Sequence, residues 1–162
     1  VTGPLPKEEF DAIFAKVPRL TVEVLIASPE RGVLLGLRDV EPCKGTWNLP
    51  GGTVRFGEPL VNAVRRVAAA ELDLEVDVGA MVGYIEYPSH YEHGLDSPVG
   101  IVFEAQPLDG APTSGTWFKV LPENMHAEQK LFLVTAAPVT LAPGDPDAGS
   151  KPIVLGHARP RA

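Results

Sequence analysis

The chain has a single cysteine in 162 residues, Cys43, so no intrachain disulfide can form, and a plain loop thiol is its expected role. Basic residues are also scarce. Lysine and arginine number 14 against 21 aspartates and glutamates, a formal net charge of −7. A polyanion needs clustered positive charge, so no nucleic-acid partner is expected. No run approaches the ~20 apolar residues that cross a bilayer, and the first residues lack a basic-then-apolar leader pattern. The expectation is a soluble, cytoplasmic protein without a membrane partner. What is present is an apolar fraction of 44%, enough at this length for one core and not for two.

Strand-like and helix-like segments alternate without repeats. About residues 6–17 read as a helix, with Phe10, Ile13, Phe14 and Val17 on one side and Pro18 ending it. Residues 21–27 and 32–37 read as strands around a turn, and 47–49 as a short strand. A helix is expected over 59–72, then strands 74–78 and 81–87 joined around Gly79, a polar loop 88–98, and strands 99–106 and 116–120. A last helix is expected to start at 121–124 and run to about 136. The class is α+β, a mixed curved sheet sandwiched by helices (α/β/α). Residues 1–136 form the domain. Residues 137–162, with Pro138, Pro143, Gly144, Pro146, Gly149, Pro152 and Pro160, read as an extended arm whose Ile153, Val154 and Leu155 could dock elsewhere.

The most informative stretch is 51–71. A Gly51-Gly52 pair follows Leu49-Pro50; Glu58 comes six residues after Gly52, Arg66 eight after that, and Glu71 five later. Glycines let the backbone approach a ligand or metal. Glu58-Pro59 reads as a helix start, with an acid near the positive end of the dipole. Leu60, Ala63, Val64 and Val67 form an apolar stripe. Eight residues is just over two helical turns, so Arg66 can share a face with Glu58 and brace the loop.

This spacing resembles the Nudix box, a loop–helix–loop that binds a divalent cation and a diphosphate. Gly52, Glu58, Arg66, Ala68, Glu71 and Leu74 fit its pattern. Val67 and Ala70 stand where two metal-binding glutamates usually stand, and Asp73 replaces the final glycine. A lone glutamate at the end of the box resembles the GDP-mannose mannosyl hydrolase branch, as do residues 7–18 and the run from Gly45 through Trp47 to Gly52. The resemblance covers about residues 5–105.

The resemblance implies magnesium, or manganese, held by the Gly51 carbonyl and Glu71, weakly until a diphosphate supplies further oxygens. It implies a homodimer involving the amino-terminal segment, and a small nucleotide-linked substrate met by Glu23 and Arg38. Arg55, in the box loop, is a further candidate for phosphate. The base is open. The branch's Gln-His pair before a tryptophan is missing from residues 108–117, which leaves His90 and His93 as the candidates, with Glu86, Glu104 and His126 behind them. His126 is expected at the surface. Three functions stay in play: hydrolysis of a nucleotide sugar, pyrophosphate cleavage of a nucleotide or ADP-ribose-like molecule, and nucleotide binding without turnover.

Overall fold

The computed structural model describes residues 3–41 and 43–135; the expected carboxy-terminal arm, with Ile153, Val154 and Leu155, lies outside them. Helix α1 spans Lys7–Phe14 and buries none of its residues. Strands β1 (Arg19–Leu25), β2 (Ala27–Ser28), β3 (Gly32–Leu37), β4 (Trp47–Asn48) and β5 (Gly51–Thr53) lead to α2 (Leu60–Leu72). Then come β6 (Val76–Glu86), α3 (Pro88–Glu92), β7 (Pro98–Pro107), β8 (Thr116–Phe118) and α4 (Ala127–Thr135). One sheet has the order β5-β1-β7-β6, with β1 and β7 parallel; β2, β4 and β8 pair with β3 in a second. No helix among the described residues is long and apolar enough to cross a membrane.

The period-2 alternation of β1 builds the sandwich. Val22, Val24 and Ile26 pack with Ala63, Val64, Val67, Ala68 and Leu72 of α2, whereas Leu25 joins Val33, Leu35, Val102, Phe132 and Leu133 on the α4 side. Glu23 has the parity of Leu25, and so points toward α4. The apolar stripe of α2 read from the sequence is the one that packs, which fixes Arg66 and Glu71 on the rest of the helix surface.

Three boundaries differ from expectation for identifiable reasons. The two strands expected around Gly79 are one strand, β6, which absorbs the irregularity as register shifts near Met81. The loop expected at 88–98 opens with α3, where Pro88 presets the first helical turn. The last helix begins at Ala127 and not before. Trp47 N–H donates to the Asn124 carbonyl (3.0 Å) and His126 N–H to the Trp47 carbonyl (3.0 Å), so residues 124–126 are drawn out as an extended bridge to β4. That bridge carries His126 inward.

Candidate active site

The loop 53–58 is fastened to α2 by one carboxylate. Arg66 donates from Nε to Glu58 Oε1 (2.7 Å) and from Nη2 to Oε2 (2.8 Å), and also to the Thr53 carbonyl (3.0 Å). The Arg55 N–H donates to Glu58 Oε2 (3.0 Å). Glu58 therefore braces the loop and makes no cap hydrogen bond to α2, which starts at Leu60. The Arg66 hydrogen bond, against some desolvation, holds the Glu58 carboxyl down at about 2. Its contribution to stability is complete above the ordinary carboxylate value of 4.5 and is lost as the pH falls through about 2. Arg66→Ala should cost about 2 kcal/mol at neutral pH and flatten the acid limb. Urea melts at neutral pH and in acid check both.

The unusual box positions have simple accounts. Val67 is 3% exposed and its Cγ2 lies 3.0 Å from where a Gly52 Cβ would be, so it is core; Ala70 faces solvent. Asp73, at the place of the family's glycine, ends α2 in the left-handed conformation (φ 54°, ψ 43°). Aspartate enters that region more readily than most residues, and its Oδ2 accepts a hydrogen bond from Thr113 (3.0 Å).

A polar pocket opens beside β5 and the end of α2. Gly51, Gly52, Glu71, Glu23, Arg38 and His90 line it together. The structure thus brings together six of the residues singled out in the sequence. Glu71 is exposed over the residue as a whole, but its carboxylate lies against protein at the Gly51 backbone, which hydrogen-bonds it. Burial pushes its carboxyl up to about 7, with the Gly51 hydrogen bond and the Arg38 charge opposing the shift.

Glu23 forms the floor. It is 5% exposed, and its Oε1 accepts from Thr21 Oγ1 (3.0 Å) and the Tyr87 hydroxyl (3.0 Å). Gln129 Nε2 reaches the Tyr87 oxygen (3.0 Å) and, more distantly, Glu23 Oε2 (3.5 Å), while Gln129 Oε1 accepts from the Leu49 N–H (2.8 Å). Burial raises the Glu23 carboxyl to about 8, against the Thr21 and Tyr87 hydrogen bonds and with help from the Glu71 charge. Near neutral pH Glu23 is therefore largely protonated, and Tyr87 is pushed well above its usual value by burial and by Glu23. Glycine at 51 and 100 makes room: a Cβ at either would meet a Glu23 carboxylate oxygen, at 2.1 and 2.6 Å.

The far wall holds His90, His126 and Cys43. His90 Nδ1 faces Asp96 Oδ1 (3.0 Å), and Asp96 is also gripped by Arg19. Burial works against the Asp96 charge, but the His90 and Arg19 hydrogen bonds prevail and hold its carboxyl low. His126 is not the surface residue expected: only 11% of its side chain is exposed, and its Nδ1 sits 3.2 Å from Glu128 Oε2. Burial lowers its pKa. Asn48 Oδ1 is buried on the same pocket with no hydrogen-bond partner among the described residues.

Other expected residues lie elsewhere. His93 is exposed, with Nδ1 on the Ser89 carbonyl (2.6 Å), and is not on the pocket wall. Glu86 and Glu104 do not line it either. Arg55 borders a separate, larger and mainly apolar hollow of about 560 Å³ between α1 and the box loop, which contains no carboxylate. We place the site at the smaller pocket because the convergent polar groups are there. Thr21, Asn48, Tyr87 and Gln129 were not singled out from the sequence, and no local pattern marks them.

Comparison with known proteins follows the same lines. The NUDIX domain family model matches residues 17–150. The low-salt glycan biosynthesis protein Agl8 of Haloferax volcanii is 42% identical over 98 residues, 59% of this chain and 62% of that protein. This chain thus spans less than two thirds of that relative. The oxidized purine nucleoside triphosphate hydrolase of Mus musculus is 32% identical over 110 residues, 63% of this chain and 67% of that protein. Among solved structures, a MutT NUDIX hydrolase from Burkholderia pseudomallei superposes with a TM-score of 0.66 at 25% identity, covering 73% of this chain and 97% of the other.

Proposed function

The chain belongs to the Nudix hydrolase family, and we propose that it hydrolyses a nucleoside diphosphate joined to a second group, with a GDP-mannose-like nucleotide sugar as the favoured substrate class. The observation that carries this reading is the placement of Glu71: its carboxylate meets the Gly51 backbone on a pocket shared with Arg38 and Glu23. The name of the Haloferax relative, a glycan biosynthesis protein, supports a sugar-linked substrate.

Nudix hydrolases act on small molecules with the help of divalent metal ions. The donor set fits a hard cation such as magnesium, with manganese as its substitute. The donors would be the Glu71 carboxylate, the Gly51 carbonyl and the buried Asn48 Oδ1, which has no hydrogen-bond partner among the described residues. A carboxyl pushed up to about 7 by burial is one that a neighbouring cation would return to its charged form. When bound, the ion would supply charge neutralisation for the diphosphate and a more acidic water. Arg38, close enough to act on the Glu71 charge, takes a phosphate oxygen. Protonated Glu23, held by Thr21 and Tyr87, offers a hydrogen-bond donor to a sugar hydroxyl or base edge, a role closed to a carboxylate. A homodimer through α1 belongs to the same proposal.

Pyrophosphate cleavage is the second reading, favoured by the name of the Mus musculus relative, a nucleoside triphosphate hydrolase. Phosphorus NMR with magnesium and a panel of nucleotide sugars, nucleoside triphosphates and ADP-ribose separates the two. The expected result is a nucleoside diphosphate from a nucleotide sugar. A nucleoside monophosphate establishes the second reading, and saturable binding with no product overturns both in favour of a binding module.

A further inference from the structure

We propose that Cys43, His90 and His126 form a second metal site, for a borderline-soft divalent cation of the zinc type, on the pocket wall and distinct from the hard-cation site at Glu71. Cys43 Sγ and one ring nitrogen from each histidine lie within 4.8 Å of one another. Tetrahedral zinc, with bonds of about 2.3 Å to sulfur and 2.0–2.1 Å to nitrogen, needs ligand separations of roughly 3.3–3.6 Å. Side-chain adjustments of about an ångström close that difference. The three residues come from the loop before β4, from α3 and from the bridge before α4, so the fold and not one local motif assembles them.

The surroundings of the histidines are an independent observation. His90 Nδ1 is engaged by Asp96 (3.0 Å) and His126 Nδ1 faces Glu128 (3.2 Å), which leaves Nε2 of each ring for a ligand bond. The carboxylates are themselves held: Asp96 by Arg19, and Glu128 Oε1 by the Ser89 N–H (3.0 Å). Carboxylate–histidine pairs of this kind orient metal-bound imidazoles and fix their tautomer. His126 Nδ1 and Glu128 Oε2 are both buried, and their 3.2 Å contact is too poorly aligned to be a hydrogen bond. A metal on Nε2 places the proton on Nδ1 and gives that pair a reason to align.

The ligand types select the ion. A thiolate and two imidazoles suit zinc or cobalt, whereas magnesium demands oxygen. Three protein ligands leave a fourth position for water or a further donor, and all three residues line the pocket that Glu71 and Arg38 also line. With metal bound, neither histidine is free to serve as a general base. The assignment holds whatever the substrate is, because it rests on none of the hydrolase chemistry.

Cobalt titration of the whole chain is the test. One equivalent of Co2+ should give the visible bands of a tetrahedral site and a thiolate-to-cobalt band in the near ultraviolet, undisturbed by a large excess of magnesium. Cys43→Ser should abolish the ultraviolet band, and Glu128→Gln should weaken cobalt affinity about tenfold or more. Zinc should raise the melting temperature of the wild type and not of Cys43→Ser, which also reports that the variant is folded. The absence of a thiolate band, its persistence in Cys43→Ser, or displacement of cobalt by equimolar magnesium would each overturn the proposal.

Discussion

Glu71→Gln is expected to lower kcat by roughly 10²- to 10³-fold while leaving the protein as stable as before, or more stable, above pH 7. The two halves have one cause. Burial raises the Glu71 carboxyl from 4.5 to about 7, so the fold disfavours its charge. A group with a raised carboxyl pKa makes its full contribution to stability below 4.5, and that contribution falls away as the pH climbs through about 7. Glutamine removes the titration and keeps the shape, at the loss of the anionic oxygen a cation needs. Steady-state kinetics with magnesium, beside thermal melts at pH 6 and pH 8.5, decide the point. A variant that loses its activity together with much of its stability would make Glu71 a structural residue.

The second large effect concerns Glu23. Its carboxyl sits at about 8 in the fold against 4.5 unfolded, a difference equivalent to at most about 5 kcal/mol. Wild-type stability in metal-free buffer should therefore decline as the pH rises from 4.5 through about 8. Glu23→Gln should remove the Glu23 share of that decline and leave the smaller share that Glu71 contributes. The amide oxygen can still accept from Thr21 and Tyr87, and its nitrogen takes the place of Oε2, whose contact with Gln129 is long at 3.5 Å. KM offers a separate readout. If protonated Glu23 donates to substrate, wild-type KM rises above pH 8 and that of Glu23→Gln does not. Urea melts across pH 5–9 together with KM profiles test both statements; identical pH dependence in the two proteins would remove Glu23 protonation from the account.

The contrast between Glu71 and Glu23 shows how much of the site was legible in the chain. Glu71, Glu58, Arg66 and the glycines were readable because a loop–helix unit keeps its spacing in sequence, although Glu58 lies before α2 and Arg66 reaches back from the helix to meet it. The α/β/α class was readable from the same periodicities. Glu23 is expected from the resemblance to meet substrate, but nothing near it in sequence announces a buried carboxyl. Its burial depends on Tyr87 and Gln129, 64 and 106 residues away, and on glycines 51 and 100 giving it room. His126 was misplaced for a related reason: the Trp47 bridge that delays α4 is a contact across nearly eighty residues, invisible to helix propensity. Cys43 reads as a loop thiol because no histidine or second cysteine lies near it in sequence; the fold brings His90 and His126 to it.

The central claim, a divalent cation shared between Glu71 and a diphosphate, is most directly tested by manganese electron paramagnetic resonance. Free Mn2+ is followed as the protein is added with and without a nucleoside diphosphate, for the wild type and Glu71→Gln. The account predicts little uptake by the protein alone. With nucleotide present, it predicts Mn2+ held more tightly than by the nucleotide alone, up to one ion per protein, and loss of that gain in Glu71→Gln. Equal uptake by the two proteins with nucleotide present would contradict it.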